Sequence, residues 1–328
     1  MKFREVLISK ARGRILGHSI SFKEKKIKKG KILRQDDIKI LKENSIKKVF
    51  VAIFKKDDIL ENDAADKIAK HITSKNIINV KAINGRADFF SKIDGMVDFQ
   101  LDNLIDINYK NSAVALSSVK QYSLVKKGQL IGNIKILPYA IKKSELDKIL
   151  NKKKFKDFFS IKPVVRKEII LILSLENLKE DNKKIISAIQ SRLEELKLKL
   201  TLILTVAHEV LSLSNLLKKN INHKNKIVLI YGSTSISDIN DIIPSAIENL
   251  GGKIITFGAP TDPGNLILLA SKNKTIIIGV PGCAKSISRN GFDLVLQRSC
   301  HGIIFTKKMI AEMSNGGLFK KTIRNFKV

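Results

Sequence analysis

The sequence lacks the features expected of a secreted or membrane-spanning protein. It has only two cysteines in 328 residues, Cys283 and Cys300, and their spacing matches neither a CxxC motif nor a zinc site. Two thiols cannot form the disulfide framework of a small secreted domain. The first residues, MKFREVLISKARGR, interrupt every apolar stretch with charge, and the longest apolar runs, such as residues 169–175, are only strand-length. These absences predict a cytoplasmic protein with no membrane span.

Arginine is also scarce, although the chain is strongly basic. Only ten of its 61 basic residues are arginine, and the formal net charge is +30. Such a charge is typical of proteins with anionic partners, but a lysine-rich composition also follows from a low-GC genome. Arginine is the residue best suited to bidentate contacts with phosphates and bases. The lysines are spread along the chain, in runs such as residues 23–31 and 152–156, without the Phe or Tyr stacking pattern of an RNA-binding fold. The composition therefore argues against nucleic acid as the partner, while the charge favours capture of a small anion.

Several common catalytic and metal-binding motifs are missing. The sequence has no HExxH, no GxSxG and no GxGxxG after the first strand of either half. Its five histidines have no spacing typical of metal ligation, so we predict no protein-bound metal. His208 follows a predicted strand and could line a site, but we interpret a lone histidine there as surface or structural.

The first half, residues 1–160, is predicted to be a mixed α+β, β-rich domain. Its clearest elements are strands at residues 46–54, 114–119 and 129–137 and a helix at residues 63–72. The lysine-dense segment 142–162 is interpreted as an exposed helix or a linker that ends the domain.

The second half, residues 161–328, alternates strands and helices and predicts an α/β domain with a mostly parallel sheet. Residues 168–175 (EIILILSL) form a continuous apolar run, which indicates a strand buried on both faces. The remaining predicted strands are residues 200–206, 227–231, 253–257 and 275–280, with a hairpin around 266–270. The predicted helices are residues 181–200, 209–219, 241–250 and 290–300.

Three loops of unusual composition follow predicted strands of this domain. Ligands bind at the carboxyl ends of strands in open parallel sheets, so the loops predict a pocket. The first loop, residues 231–238 (YGSTSISD), presents small hydroxyls around a glycine, which suits a phosphate. The second, residues 258–265 (GAPTDPGN), contains a strong turn sequence. The third, residues 279–286 (GVPGCAKS), nearly matches a phosphate-binding loop, with alanine in place of its second glycine.

Each loop also has a purely structural interpretation. Ser235, Ser237 and Asp238 could serve only to cap the following helix, with Asp238 as its N-cap, and the second loop could be only a turn. Cys283 could be a reactive thiol beside Lys285, although a small packed residue is the simpler role. The absence of a Walker-B strand argues against a nucleotide triphosphatase.

In this order, residues 230–238, 257–270 and 278–298 resemble the molybdopterin-binding (MoaB/Mog-like) domain of molybdenum-cofactor biosynthesis proteins. The resemblance covers about residues 165–306. The first half is similar, in residues 11–16 (ARGRIL) and 30–51, to the flanking region of molybdopterin molybdotransferases. The resemblance implies a three-layer C-terminal domain that holds molybdopterin or the molybdenum cofactor at the carboxyl edge of its sheet.

The resemblance also implies roles for individual residues. Asp238 would be the catalytic acid that positions an adenylylated cofactor, with Mg²⁺ and molybdate. The pocket would be formed by residues of all three loops, namely Gly232, Ser233, Thr234, Ser235, Asp262, Pro263, Gly264, Asn265, Pro281, Gly282, Cys283, Lys285 and Ser286. Two elements of the molybdotransferases are absent, because residues 19–29 and 175–182 carry none of their signature residues.

The leading hypothesis is therefore a protein that binds molybdopterin or the molybdenum cofactor, as a degenerate molybdotransferase or a carrier. An active molybdotransferase and a basic nucleic-acid-binding protein are the alternatives. A separate nucleotidyltransferase or an apo-molybdoenzyme is the expected protein partner, and relatives imply a homo-oligomer.

Overall fold

The computed structural model describes residues 1–22, 25–221 and 225–320. Part of the lysine run at residues 23–31 and the end of the predicted second domain therefore lie outside the described residues. The chain divides into two units, Met1–Lys162 and Pro163–Val328. Within the described residues, no helix is long and apolar enough to cross a membrane.

The first unit is built mainly from short antiparallel strands. Its strands are β1 (Lys2–Leu7), β2 (Ile15–Leu16), β3 (Ile20–Ser21), β4 (Lys26–Ile27), β5 (Lys48–Ile53), β6 (Asp58–Leu60), β7 (Ile77–Asn79), β8 (Arg86–Ser91), β9 (Gly95–Asp98), β10 (Val114–Ser118), β11 (Leu124–Val125), β12 (Leu130–Ile136), β13 (Ala140–Lys142) and β14 (Ser160–Lys162). Its helices are α1 (Gln35–Glu43), α2 (Glu61–Ile72), α3 (Leu101–Lys110) and α4 (Lys143–Leu150). The largest sheet has the order β10-β12-β8-β7, and a smaller one has the order β1-β5-β2.

Two apolar clusters hold this unit together. One joins the sheet β1-β5-β2 to α1, and the other packs α2 and α4 against the four-stranded sheet. The second cluster includes Leu146, Ile149 and Phe155, all buried. The interpretation of residues 142–162 as an exposed helix or linker is therefore wrong. The lysines of this segment point outward, while a narrow apolar stripe beneath them packs into the core.

The second unit contains one six-stranded sheet. Its strands are β15 (Glu168–Leu175), β16 (Leu202–Ala207), β17 (Lys226–Gly232), β18 (Lys253–Phe257), β19 (Leu268–Lys272) and β20 (Thr275–Gly279). Its helices are α5 (Lys183–Glu194), α6 (Val210–Asn220), α7 (Ile242–Asn249), α8 (Gly291–Cys300) and α9 (Lys307–Glu312). The strand order is β16-β15-β17-β20-β19-β18.

Helices cover both faces of this sheet. Ile169, Leu171 and Leu173 of β15 pack with α5 and α8, while the alternate residues Ile170 and Ile172 pack with α6 and α7. Strand β15 is therefore buried on both faces, as its continuous apolar run predicts. The unit has three layers, with the sheet between α5, α8 and α9 on one face and α6 and α7 on the other.

The sheet is mixed, and five of its six strands point the same way. Strands β16, β15, β17 and β20 are parallel, but β19 runs antiparallel to both β20 and β18. The hairpin predicted around residues 266–270 lies farther along the chain, because residues 268–272 belong to β19. Strands β19 and β20 form the hairpin, and its turn residues Asn273 and Lys274 both have positive φ, as a tight hairpin turn requires.

The predicted helix at residues 181–200 is shorter than expected. Helix α5 ends at Glu194, and the amides of Leu196 and Leu198 both donate to the carbonyl of Leu193. Lys197 adopts a left-handed conformation with φ +58°, which turns the chain out of the helix.

Candidate functional site

The three loops leave the second unit's sheet at one edge. Strand β18 is antiparallel to β19, which is itself antiparallel to β20, so β17, β18 and β20 all point the same way. Their carboxyl ends therefore meet at a common edge, which we call the loop edge. The first loop follows β17, the second follows β18 and the third follows β20.

The first loop begins tightly packed against the ends of neighbouring strands. The amide of Ser233 donates to the carbonyl of Ser174 (2.9 Å), and its Oγ accepts from the amide of Glu176 (2.9 Å). A Cβ at Gly232 would lie 3.1 Å from Cε1 of His208, which is tighter than ordinary contact. The start of this loop is thus fixed to the ends of β15 and β16, whereas Thr234 and Ser235 beyond it are exposed.

His208 lies closer to the site than its sequence position indicates. It is buried, and its Nδ1 lies 2.8 Å from Oγ of Ser174, which is fully buried. This pair joins the ends of β15 and β16 directly beneath Gly232. The interpretation of His208 as structural fits this arrangement, because its ring supports the first loop.

Asp238 does not cap α7, contrary to one of its predicted roles. Its Oδ1 accepts from the amide (2.8 Å) and the side chain (2.9 Å) of Asn240, and its side chain is exposed. The N-cap is Asp241, whose carboxylate accepts from the amides of Ile242 (2.7 Å) and Ser237 (3.0 Å). Burial raises the pKa of Asp241, but these hydrogen bonds outweigh burial and hold the pKa below its ordinary value.

The second loop is attached to the start of α8. The carbonyl of Pro263, which follows a cis peptide bond, accepts from the amide of Gly291 (2.9 Å). Gly264 has φ +114°, and a Cβ there would lie 2.6 Å from the same amide nitrogen. Two backbone hydrogen bonds join Asp262 to the C-terminal segment. Its amide donates to the carbonyl of Gly317, and its carbonyl accepts from the amide of Phe319 (both 2.8 Å). Asp262 and Asn265 remain exposed.

The third loop contacts the first. Gly282–Lys285 form a 3-10 turn after Pro281, and a Cβ at Gly282 would lie 3.0 Å from Oγ of Ser235. The ammonium of Lys285 lies 5.3 Å from the centre of the Tyr231 ring, and the Tyr231 side chain raises the pKa of Lys285. The structure thus brings the first and third loops together around exposed hydroxyls and an ammonium group.

Cys283 is half-buried in this turn, and burial raises the pKa of its thiol. A thiol with a raised pKa is protonated at neutral pH and is a poor nucleophile. The structure favours the packed role for Cys283 over the reactive one.

Arg192 is a residue of the site that sequence reasoning missed. It projects from α5, is only 5% exposed, and pairs through Nε with Oδ1 of Asp293 (2.8 Å). Its Nη1 donates to the carbonyls of Ala188 (2.9 Å) and Ala284 (3.0 Å). Its Nη2 donates to Ser286 (2.6 Å) and Ser288 (3.3 Å). One guanidinium therefore fixes the backbone of the third loop to α5 and to the first turn of α8.

Among the described residues, no group of three or more acidic, histidine or cysteine side chains is arranged to hold a metal ion. The exposed hydrogen-bond donors at the loop edge include the hydroxyls of Thr234, Ser235 and Ser286 and the ammonium of Lys285. Such donors suit a ligand rich in oxygen and nitrogen acceptors.

Comparisons with known proteins give matches among solved structures. No protein-family model matches the chain, and no curated protein matches it. Among solved structures, the chain is similar to the molybdopterin biosynthesis MoeA protein from Pyrococcus horikosii, with a TM-score of 0.32 and 14% identity over 92% of this chain and 76% of that one. It is also similar to a molybdenum cofactor biosynthesis protein from Pyrococcus furiosus, with a TM-score of 0.25 and 13% identity over 93% of this chain and 66% of that one. We therefore base the functional assignment on the three loops.

Proposed function

We propose that the loop edge binds molybdopterin or the molybdenum cofactor, and that the protein acts in the biosynthesis or handling of this cofactor. The observation that carries the proposal is the contact between the first and third loops. At Gly282 and Ser235 they approach so closely that a Cβ would crowd the hydroxyl (3.0 Å). This contact places the donors of both loops on one surface.

The chemistry of these donors fits the ligand that the resemblance implies. A pterin ring offers several acceptor atoms, which Thr234 and Ser235 can meet with hydroxyls. A terminal phosphate is satisfied by an ammonium and a hydroxyl, here Lys285 and Ser286. The second loop would contribute Asp262 and Asn265, which are exposed at the same edge.

The test is retention of the cofactor during purification. The protein, produced in a host that makes the cofactor, should carry a pterin that becomes fluorescent after oxidation. Gly282→Leu fills the space between the loops, and Lys285→Gln removes the ammonium. Both should reduce the retained pterin at least severalfold, whereas Lys253→Gln, at the opposite edge of the same sheet, should not. Folded parent protein without pterin would refute the proposal.

Whether the protein also catalyses molybdenum insertion is a separate question. Asp238 is exposed, and its Oδ1 is engaged with Asn240, so the carboxylate is accessible at the loop edge. Asp238→Asn should leave pterin retention unchanged. If the protein is a molybdotransferase, this variant should abolish insertion into an apo-molybdoenzyme. Insertion by Asp238→Asn at the parental rate would rule out catalysis by Asp238. Absence of insertion by the parent protein would restrict the protein to binding and transport, with a separate nucleotidyltransferase or apo-molybdoenzyme as its partner.

A further inference from the structure

Four aromatic side chains from separate segments of the first unit meet in one cluster. Phe3 stacks on Phe50 with 5.8 Å between ring centroids and on Tyr139 with 6.4 Å, each at 27°. His18 packs edge-on against Phe3 (5.6 Å) and Phe50 (5.1 Å). We call these four residues the aromatic cluster.

The cluster lies on the outer face of the sheet β1-β5-β2. Val49 and Val51 of β5 point into the core, while Phe50 between them points outward. Phe3 and Phe50 are 44% and 41% exposed, so both residues are accessible from solvent. A Cβ at Gly17 would lie 2.4 Å from the Phe3 ring, so this glycine is what allows the ring to lie against β2.

The segment that carries Phe3, His18 and Phe50 is rich in positive charge. Residues 1–53 contain 16 lysines and arginines against five acidic residues, a surplus of 11 where the chain average would give about five. The exposed Lys28 and Lys29 lie in the same turn as Gly30. A Cβ at Gly30 would lie 3.8 Å from Cε1 of Tyr139, so this turn lies beside the Tyr139 ring. Glu5, opposite Phe50 on β1, is neutralised by Lys48 at 3.5 Å.

From this combination we infer that the aromatic cluster is a binding surface for single-stranded nucleic acid. Bases stack on Phe3 and Phe50, because aromatic rings accept the face of any base. The phosphates between them meet Lys28 and Lys29. A duplex hides its base faces and would lose the stacking contribution.

A second copy of the chain is a poorer occupant for the same surface. In a two-fold dimer the same patch faces itself, so the surplus positive charge of one copy would oppose that of the other. A polyanion with stacking surfaces satisfies both the rings and the lysines. This inference concerns the first unit and is independent of cofactor binding at the loop edge.

The test is fluorescence anisotropy of the full chain with a labelled 12-nucleotide strand, as DNA and as RNA of the same sequence. Binding should be about 5- to 100-fold weaker for the corresponding duplex and for a strand with abasic sites, since each stacked base contributes on that order. The DNA and RNA arms identify which strand is preferred. Equal affinity for the strand, the duplex and the abasic strand would reduce the interaction to charge and overturn the inference.

Two pairs of variants separate stacking from charge. Phe3→Leu with Phe50→Leu should weaken strand binding by at least about fivefold and remove the preference over the abasic strand, whereas Tyr109→Leu, an exposed aromatic on α3, should not. Lys28→Gln with Lys29→Gln should lower the salt dependence (log K against log salt) by about 1.4, and the exposed pair Lys126→Gln with Lys127→Gln should not.

Circular dichroism checks that the Phe3→Leu with Phe50→Leu variant folds. If it does not fold, the salt dependence of the Lys28→Gln with Lys29→Gln variant is the deciding measurement. Light scattering measures whether the Phe3→Leu with Phe50→Leu variant changes oligomeric state. If it does and its affinity for the strand is unaltered, the surface binds a second copy of the chain and the inference is overturned.

Discussion

Replacing Arg192 with leucine should loosen the third loop and destabilise the second unit. The guanidinium makes five hydrogen bonds, one to the carboxylate of Asp293 and four to backbone carbonyls. Leucine fills part of the volume but satisfies none of these acceptors. Asp293, itself 8% exposed, would remain buried without its cation, although the Asn290 amide would still donate to it (2.7 Å).

The expected loss follows from this orphaned charge. Removing one partner of a buried ion pair typically costs about 3–5 kcal/mol. The five hydrogen bonds are not additive with that figure, because their loss is part of the same penalty. We therefore expect Arg192→Leu to lower the free energy of unfolding by about 3–5 kcal/mol. Arg192→Lys keeps the charge but cannot reach several carbonyls with a rigid fork, so it should fall between the parent and Arg192→Leu.

Urea unfolding followed by far-ultraviolet circular dichroism measures this difference, because the chain has no tryptophan for fluorescence. Hydrogen exchange of the peptide spanning residues 280–290 reports the loop itself and should be faster in the variant. Arg289→Leu is the matched control, since Arg289 follows the third loop three residues beyond Ser286 but is exposed. It should change stability by less than about 0.5 kcal/mol. If Arg192→Leu is no more destabilising than Arg289→Leu, the guanidinium does not hold the loop.

Three further predictions concern residues at the loop edge. Asp241→Ala removes the N-cap of α7 and should lower the free energy of unfolding by about 0.5–2 kcal/mol at neutral pH, whereas Asp238→Ala should lower it clearly less. Because the folded protein lowers the pKa of Asp241, the stability difference between the parent and Asp241→Ala should shrink as the pH falls below about 4. Gly291→Ala places a Cβ 2.1 Å from Oγ1 of Thr261 and should cost about 1–3 kcal/mol in urea unfolding, with partial recovery when Thr261→Ala is added. Cys283 should react slowly with iodoacetamide at pH 7.5 and faster above pH 9, because its raised pKa keeps the thiol protonated; rapid alkylation at pH 7.5 in the native protein would contradict this.

The strands and helices of the second unit could be predicted because the spacing of apolar residues within each segment indicates which of its faces are buried. Strand β15 is apolar at every position from Ile169 to Leu173, and the structure confirms that both of its faces are buried. The antiparallel direction of β19 was only partly indicated by the hairpin prediction. The packing of α4 was missed because Leu146 and Ile149 are surrounded in sequence by lysines, and only contact with α2 gives them a core to enter.

Contacts between distant segments explain what the sequence could not show. Arg192 occupies a polar position on an amphipathic helix, where an arginine usually faces solvent; its burial depends on carbonyls about 90 residues away. The aromatic cluster is hidden for the same reason. Phe3 and Tyr139 are 136 residues apart, and no periodic pattern relates them, so the lysine runs looked free of stacking partners.

The loop edge separates the residues that hold the loops from those available to a ligand. Ser233 is hydrogen-bonded to the backbone of Ser174, and Gly264 packs closely against the backbone of Gly291. Thr234, Ser235 and Lys285 are exposed. A backbone fixed before binding loses less conformational entropy when a ligand arrives, so fewer new contacts are needed for a given affinity. Substitutions at the first group should therefore lower stability and binding together, and substitutions at the second group should lower binding alone.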